Sequence, residues 1–199
     1  MRTAAENGYS NVLEVLHTSY GLTSRDAKGE GNFILKAAAE GGHAEVLIVL
    51  HSIYGLNTRD ARSENNYALK IAARYGRTEV LKILRSEYGL NILDARGGNN
   101  YALKIASEYG HSEALKVLYS EYGLGVADAR ADNNYALRIA AKGFHAEVLK
   151  VLYTYGLGEE DARADNNYAL EVATELACED VLEVLSTLYG VIDFRALLS

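Results

Sequence analysis

The side chains with most chemical reach in this chain recur at fixed distances. His43, His111 and His145 share one register of a pattern in which His111 and His145 stand 34 residues apart. Histidines in register suggest a metal ladder. However, Tyr9, Arg77 and Cys178 occupy the equivalent places, and ligands about 10 Å apart cannot share one ion whose bonds are near 2 Å. We therefore expect no metal, and these histidines should hydrogen-bond to backbone between units. His17 and His51 read as surface residues late in second helices. The Asp-Ala-Arg triplets (Asp60/Arg62, Asp94/Arg96, Asp128/Arg130, Asp161/Arg163) are set for ion pairs within or between units, of modest worth near the surface. Lys82, Lys116 and Lys150 form one cationic stripe, and Lys36, Lys70, Lys104 and Arg138 another. Both could meet an acidic partner, but Glu14 and Glu183 break the first and Glu171 the second, which favours solvated faces. No nucleophile elbow, phosphate-binding loop or ligand cluster is present. An enzyme is not expected, nor a cofactor.

The elements that position these residues are repeats. Asn-Asn-Tyr-Ala-Leu occurs at 65–69, 99–103, 133–137 and 166–170, preceded by a degraded copy, Gly31-Asn32-Phe33-Ile34-Leu35. The spacings are 34, 34, 34 and 33 residues. Such a period implies a solenoid, in which each unit buries its apolar face only against its neighbours. Counting outward gives one repeat domain over 1–199: a partial unit (1–27), units 28–61, 62–95, 96–129 and 130–162, and a C-terminal capping unit, 163–199. In the capping unit, Val191 to Leu198 should fold back on the stack.

Each unit reads as two helices. Asn100 is placed to cap a two-turn helix from Tyr101 to Glu108, and Gly110 supplies a left-handed turn. Ser112 to Tyr122 is the second helix, ended by Gly123. The residue missing from unit 130–162 should shorten its second helix near the end. Neither helix is long enough to stand alone. Ala38, Ala72, Ala106, Ala140 and Ala173, one per unit, allow close approach of successive helices.

The run Ile139-Ala140-Ala141-Lys142-Gly143-Phe144-His145-Ala146-Glu147-Val148-Leu149 resembles the centre of an ankyrin repeat, as do Ala37 to Leu47 and Tyr109 to Glu113. The resemblance recurs through the chain. It implies an all-α, ankyrin-like solenoid of stacked helix-turn-helix units that binds another protein. Two features depart from the family pattern. Tyr67-Ala68-Leu69-Lys70 and its copies replace Thr-Pro-Leu-His, and the chain has no proline. The joints read Gly-Leu, three residues, Asp-Ala-Arg, and Thr23 to Asp26 and Asn57 to Asp60 look like small capping boxes. The joints should therefore be short, helical or irregular, in place of the family's hairpin. This variant is similar to ankyrin arrays of giant viruses and some microbes.

Composition narrows the partners. A net charge of −7 disfavours nucleic acid, which needs a basic footprint. No apolar run approaches the roughly 20 residues that span a bilayer, so no membrane partner is expected. The single cysteine, Cys178, fits a reducing compartment and reads as a small apolar residue; the expected location is the cytoplasm, or the host-cell cytoplasm if the source is viral. In the arrangement implied by the resemblance, the concave face is lined by joint tips and first-helix ends, where the copies differ most. Tyr75 and Tyr109, flanked by Arg74 and Glu108, are the expected anchor. Glu40, Lys142, Glu64 and Asp132 are further candidates. The alternative is a structural spacer that self-associates through its poorly capped N-terminal unit and has no binding activity of its own.

Overall fold

The computed structural model describes residues 1–191. Among them the chain is helical throughout and forms no strand. Three kinds of helix repeat along it. First helices are exemplified by Ser63–Arg74, Gly97–Glu108 and Ala131–Lys142. Second helices are exemplified by Thr78–Ser86, Ser112–Ser120 and Ala146–Thr154. A one-turn helix stands at each joint: Ser24–Ala27, Thr58–Ala61, Ile92–Ala95, Val126–Ala129 and Glu159–Ala162. The expected helical joint is therefore what forms.

The joint helix exists because its aspartate caps it. Asp26, Asp60, Asp94, Asp128 and Asp161 accept the backbone N–H of Thr23, Asn57, Asn91, Gly125 and Gly158 at 2.8–2.9 Å. Capping satisfies an N–H that a four-residue helix would otherwise leave bare.

The chain then passes through a turn of opposite hand. Glu64-Asn65-Asn66, Gly98-Asn99-Asn100, Asp132-Asn133-Asn134 and Asp165-Asn166-Asn167 all lie in the left-handed region. Asn, Asp and Gly dominate these triplets because they bear that conformation at least cost. The turn overturns the expected capping role of Asn100. A cap needs extended backbone to aim its oxygen at the first N–H groups, whereas Asn100 has a φ of 57°. The Oδ1 atoms of Asn66, Asn100 and Asn134 are buried without a hydrogen-bond partner among the described residues. These asparagines serve the turn.

Small residues set the stacking. Ala38, Ala72, Ala106, Ala140 and Ala173 are fully buried, and the first helices pack more closely on one another than the second helices do. A stack whose two rows differ in spacing curves, with the closer row inside. The first helices are the closer row, the one expected to line a concave face.

Hydrogen bonds also tie unit to unit. The hydroxyls of Tyr54, Tyr88, Tyr122 and Tyr189 donate to the carbonyls of Leu13, Leu47, Leu81 and Leu149 in the preceding unit, at 2.6–2.8 Å. The unit short of one residue breaks this series. Its second helix keeps nine residues, as its neighbours do, so the deletion falls in the turn behind the helix and not in the helix as expected. Tyr155 accordingly misses a carbonyl and stacks on Tyr119 instead, centroids 3.2 Å apart. Of the expected C-terminal fold-back, Val191 is buried against the core; positions 192–198 lie outside the described residues.

Candidate functional site

The histidine register is structural. Nε2 of His43, His111 and His145 bonds the carbonyls of Glu6, Arg74 and Glu108, at the first-helix ends of the preceding units, at 2.9–3.0 Å. Because a carbonyl only accepts, Nε2 carries the proton. Arg77 makes the same bridge, Nε to the Glu40 carbonyl at 3.0 Å. Each ring rests on a glycine: an added Cβ at Gly8, Gly76 or Gly110 would come within 2.5–2.7 Å of the Nδ1 above it. Burial, ahead of the nearby cations, holds the His111 pKa below its usual value even though the Arg74 carbonyl pulls it the other way. His17 and His51 are also not the surface residues expected. Both are half-buried, donate Nδ1 to the carbonyls of Leu22 and Leu56 at 2.8 Å, and pack on Tyr54 and Tyr88.

The joint arginines link successive joints across one unit. Arg62, Arg96 and Arg130 fork onto Asp94, Asp128 and Asp161 at the far end of their own units, with paired bonds of 2.7–3.0 Å. Lys28 reaches Asp60 at 3.1 Å. These carboxylates are buried, between 5% and 7% exposed, so the pairs are less superficial than their spacing in sequence implied. Burial raises the pKa of Asp94, Asp128 and Asp161, but the guanidinium fork and the capping N–H outweigh it and hold all three below 3.8.

The second-helix lysines behave as a solvated face: Lys82, Lys116 and Lys150 are half exposed and pair with Glu79, Glu113 and Glu147 three residues back. The first-helix stripe does not. Lys36 meets Glu64 of the next unit at 2.5 Å, Lys104 meets Asp132, and Arg138 meets Asp165, each cation being well covered. Each also lies 5.7–5.8 Å from the ring centre of a neighbouring tyrosine, Tyr67, Tyr135 or Tyr168. Lys70 takes the same pose, 5.6 Å from Tyr101. At the acid's place, however, stands Gly98, whose added Cβ would be 3.2 Å from the Lys70 Nζ. Lys70 has no ion pair among the described residues.

One helical turn on, Arg74 is the second cation of this site. Its Nη2 donates to the Tyr109 hydroxyl at 2.8 Å, and its guanidinium lies 5.1 Å from that ring's centre. Its Nε is sealed from solvent and bonds to nothing among the described residues. A shallow groove of about 310 Å³ runs past Glu64, Tyr67, Lys70, Arg74 and Tyr101.

The structure therefore brings Arg74 and Tyr109 into direct contact. Tyr75 stands beside them under Arg77, and both tyrosines are about two-fifths exposed. Glu64 borders the groove but is committed to Lys36, and Asp132 is held by Lys104 and Asn99. Glu40, Glu108 and Lys142 are exposed along the first-helix ends of their own units. Tyr67 and Tyr101 are additions that reading the chain did not supply, and Lys70, read there as one of a solvated stripe, stands apart from its fellows. The signal was a glycine, Gly98, where Glu64, Asp132 and Asp165 stand in other units.

Among the described residues, no group of three or more His, Cys, Asp or Glu is placed to hold a metal, and no helix is long and apolar enough to cross a membrane. Residues 1–96 match the family model of ankyrin repeats, in 3 copies. No curated protein matches the chain. Ankyrin repeats are generally protein–protein interaction modules and typically non-enzymatic. That match supports an ankyrin repeat family assignment, and helical units of the same period continue beyond residue 96.

Proposed function

We propose that the chain is a protein-recognition scaffold that binds a partner polypeptide on its concave, first-helix face, centred on units 62–95 and 96–129. One observation carries this reading. Tyr67, Tyr75, Tyr101 and Tyr109, all exposed by a third or more, stand on the first helices and following turns of two neighbouring units, beside Arg74. Tyrosine and arginine supply large contact area at low entropic cost and dominate interface hot spots. A photocrosslinking experiment tests it: p-benzoyl-phenylalanine placed at Tyr75, and separately at Lys116 on the second-helix side, is irradiated in cell lysate. Discrete adducts from position 75 that are absent from position 116 are expected; the same adducts from both, or adducts from 116 alone, overturn the proposal.

A second reading has its own observation. On the helix Ser10–Tyr20 and its N-cap, the residues Tyr9, Val12, Val15 and Tyr20 are exposed by 40–73%, an apolar stripe of the kind that marks a contact surface. Self-association through it would give a mass that rises with concentration in light scattering. A constant monomer mass excludes it.

A further inference from the structure

We infer that the concave face takes an acidic side chain from its partner, an Asp or Glu whose carboxylate fills the rung left empty at Gly98 between Lys70 and Arg74. The inference rests on the concave-face reading above. Its ground is the comparison of four equivalent rungs in one molecule. Lys36, Lys104 and Arg138 each reach a carboxylate from the next unit while lying beside a tyrosine ring. Lys70 holds the same pose beside Tyr101 with the carboxylate missing. Ring and backbone are already arranged, so an incoming carboxylate needs only to replace the absent one.

The neighbouring turn strengthens the case. At the position four residues after each stripe cation, units 28–61 and 96–129 carry Glu40 and Glu108, unit 62–95 carries Arg74 and unit 130–162 carries Lys142. Lys36 and Lys104 thus have an acid one turn away, whereas Lys70 and Arg138 have a second cation. Of these two, Arg138 already holds Asp165, while Lys70 has no carboxylate among the described residues. Arg74 is held in place by the bond from its Nη2 to the Tyr109 hydroxyl. Two cations in a groove walled by Tyr67 and Tyr101, whose lining carboxylate, Glu64, is committed to Lys36, make an anion site within a chain of net charge −7. Charge-assisted hydrogen bonds in such a groove, sheltered by aromatic rings, are stronger than neutral ones. An acidic side chain suits it better than a basic or neutral one, and the flanking tyrosines offer faces to the residues beside that acid.

The test supplies the missing acid in cis. Gly98→Asp places a carboxylate where Asp132 and Asp165 already sit in the same left-handed conformation, so the variant is expected to fold, with an unchanged far-UV circular dichroism spectrum. A random peptide library displayed inside a phage coat protein, so that no free C-terminus is offered, is selected on the wild-type chain. Affinities of the enriched peptides are then measured as synthetic amides. The expected result is a shared Asp or Glu, with a loss of about tenfold or more when it becomes Asn or Gln, and a similar loss on Gly98→Asp or Lys70→Met protein. Enriched peptides without an acidic residue, or binding indifferent to both protein variants, overturn the inference. If that binding still falls on Tyr75→Ala/Tyr109→Ala, the concave-face reading stands and only the carboxylate slot is lost. Binding indifferent to all of these variants, or no enrichment, counts against both.

Discussion

Two columns of cations climb this stack, and they are built to different standards. In the joint column, Lys28, Arg62, Arg96 and Arg130 meet Asp60, Asp94, Asp128 and Asp161, and every rung is filled. In the first-helix column, Lys36, Lys70, Lys104 and Arg138 face Glu64, Gly98, Asp132 and Asp165, and one rung is empty. The chemistry is the same, but the acids are not equally free. Each joint aspartate is buried and also caps a helix, so removing it leaves an uncapped turn and a cation without its fork. Glu64, Asp132 and Asp165 are exposed and hold no helix. A rung of the second column can be emptied without loosening the fold, and the vacated place is then available to a partner.

The largest expected effect is on the filled column. Asp128→Ala removes the acceptor for the Gly125 N–H and both arms of the Arg96 fork. Urea unfolding should show a loss of about 2 kcal/mol. Asp132→Ala in the other column should leave the urea midpoint within experimental error of wild type. Equal losses in the two variants would erase the distinction.

The tyrosine ladder offers a smaller contrast of the same kind. Tyr122 donates a buried hydroxyl to the Leu81 carbonyl, while Tyr155, displaced by the one-residue deletion, stacks on Tyr119. Tyr122→Phe should cost about 1 kcal/mol, the worth of one buried hydroxyl bond, and Tyr155→Phe clearly less. Desolvation also pushes the Tyr122 hydroxyl far above its ordinary pKa, so alkaline difference spectra of folded protein should show it titrating only on unfolding.

How much of this was legible in the chain depends on whether a signal lies within one unit or between two. The 34-residue period, the alanine register, the glycine turns and the helical joint are local, and Asn57 to Asp60 spells its own capping box. The partner of Arg62 lies 32 residues on, and that of Tyr54 lies 41 back. Neither direction of reach is written at the residue itself. The asparagines were half legible: their tolerance of the left-handed region was readable, but that three successive residues adopt it was not, and so capping was assigned in error. The same blindness hid the site. Lys70 reads like Lys36 and Lys104 until Gly98, 28 residues later, is set opposite it. Phe144 and Cys178 make a similar pair. Where Gly8, Gly76 and Gly110 leave room for a histidine above, Phe144 fills its place and Cys178 replaces the ring.

The smallest expected effect lies in that histidine register, and it tells position-holding from charge. Burial, chiefly, holds the His111 pKa below its ordinary 6.5, so the unfolded chain takes up a proton there before the folded chain does. Stability contributed by neutral His111 is therefore complete above pH 6.5 and is lost as the pH falls from there through the lower folded value. Over the same interval Asp94, Asp128 and Asp161, with folded pKa values below 3.8, remain ionised and contribute no slope. A decline in urea midpoint between pH 6.5 and 5 should thus belong to histidine, and His111→Gln, whose amide can still donate to the Arg74 carbonyl, should flatten part of it without a large loss at pH 7. If the slope is unchanged in the variant, the ring's burial is not what couples acid to this interface. If the slope flattens but the pH 7 midpoint drops sharply, the fit of the imidazole over Gly76, more than its bond to Arg74, is what the register requires.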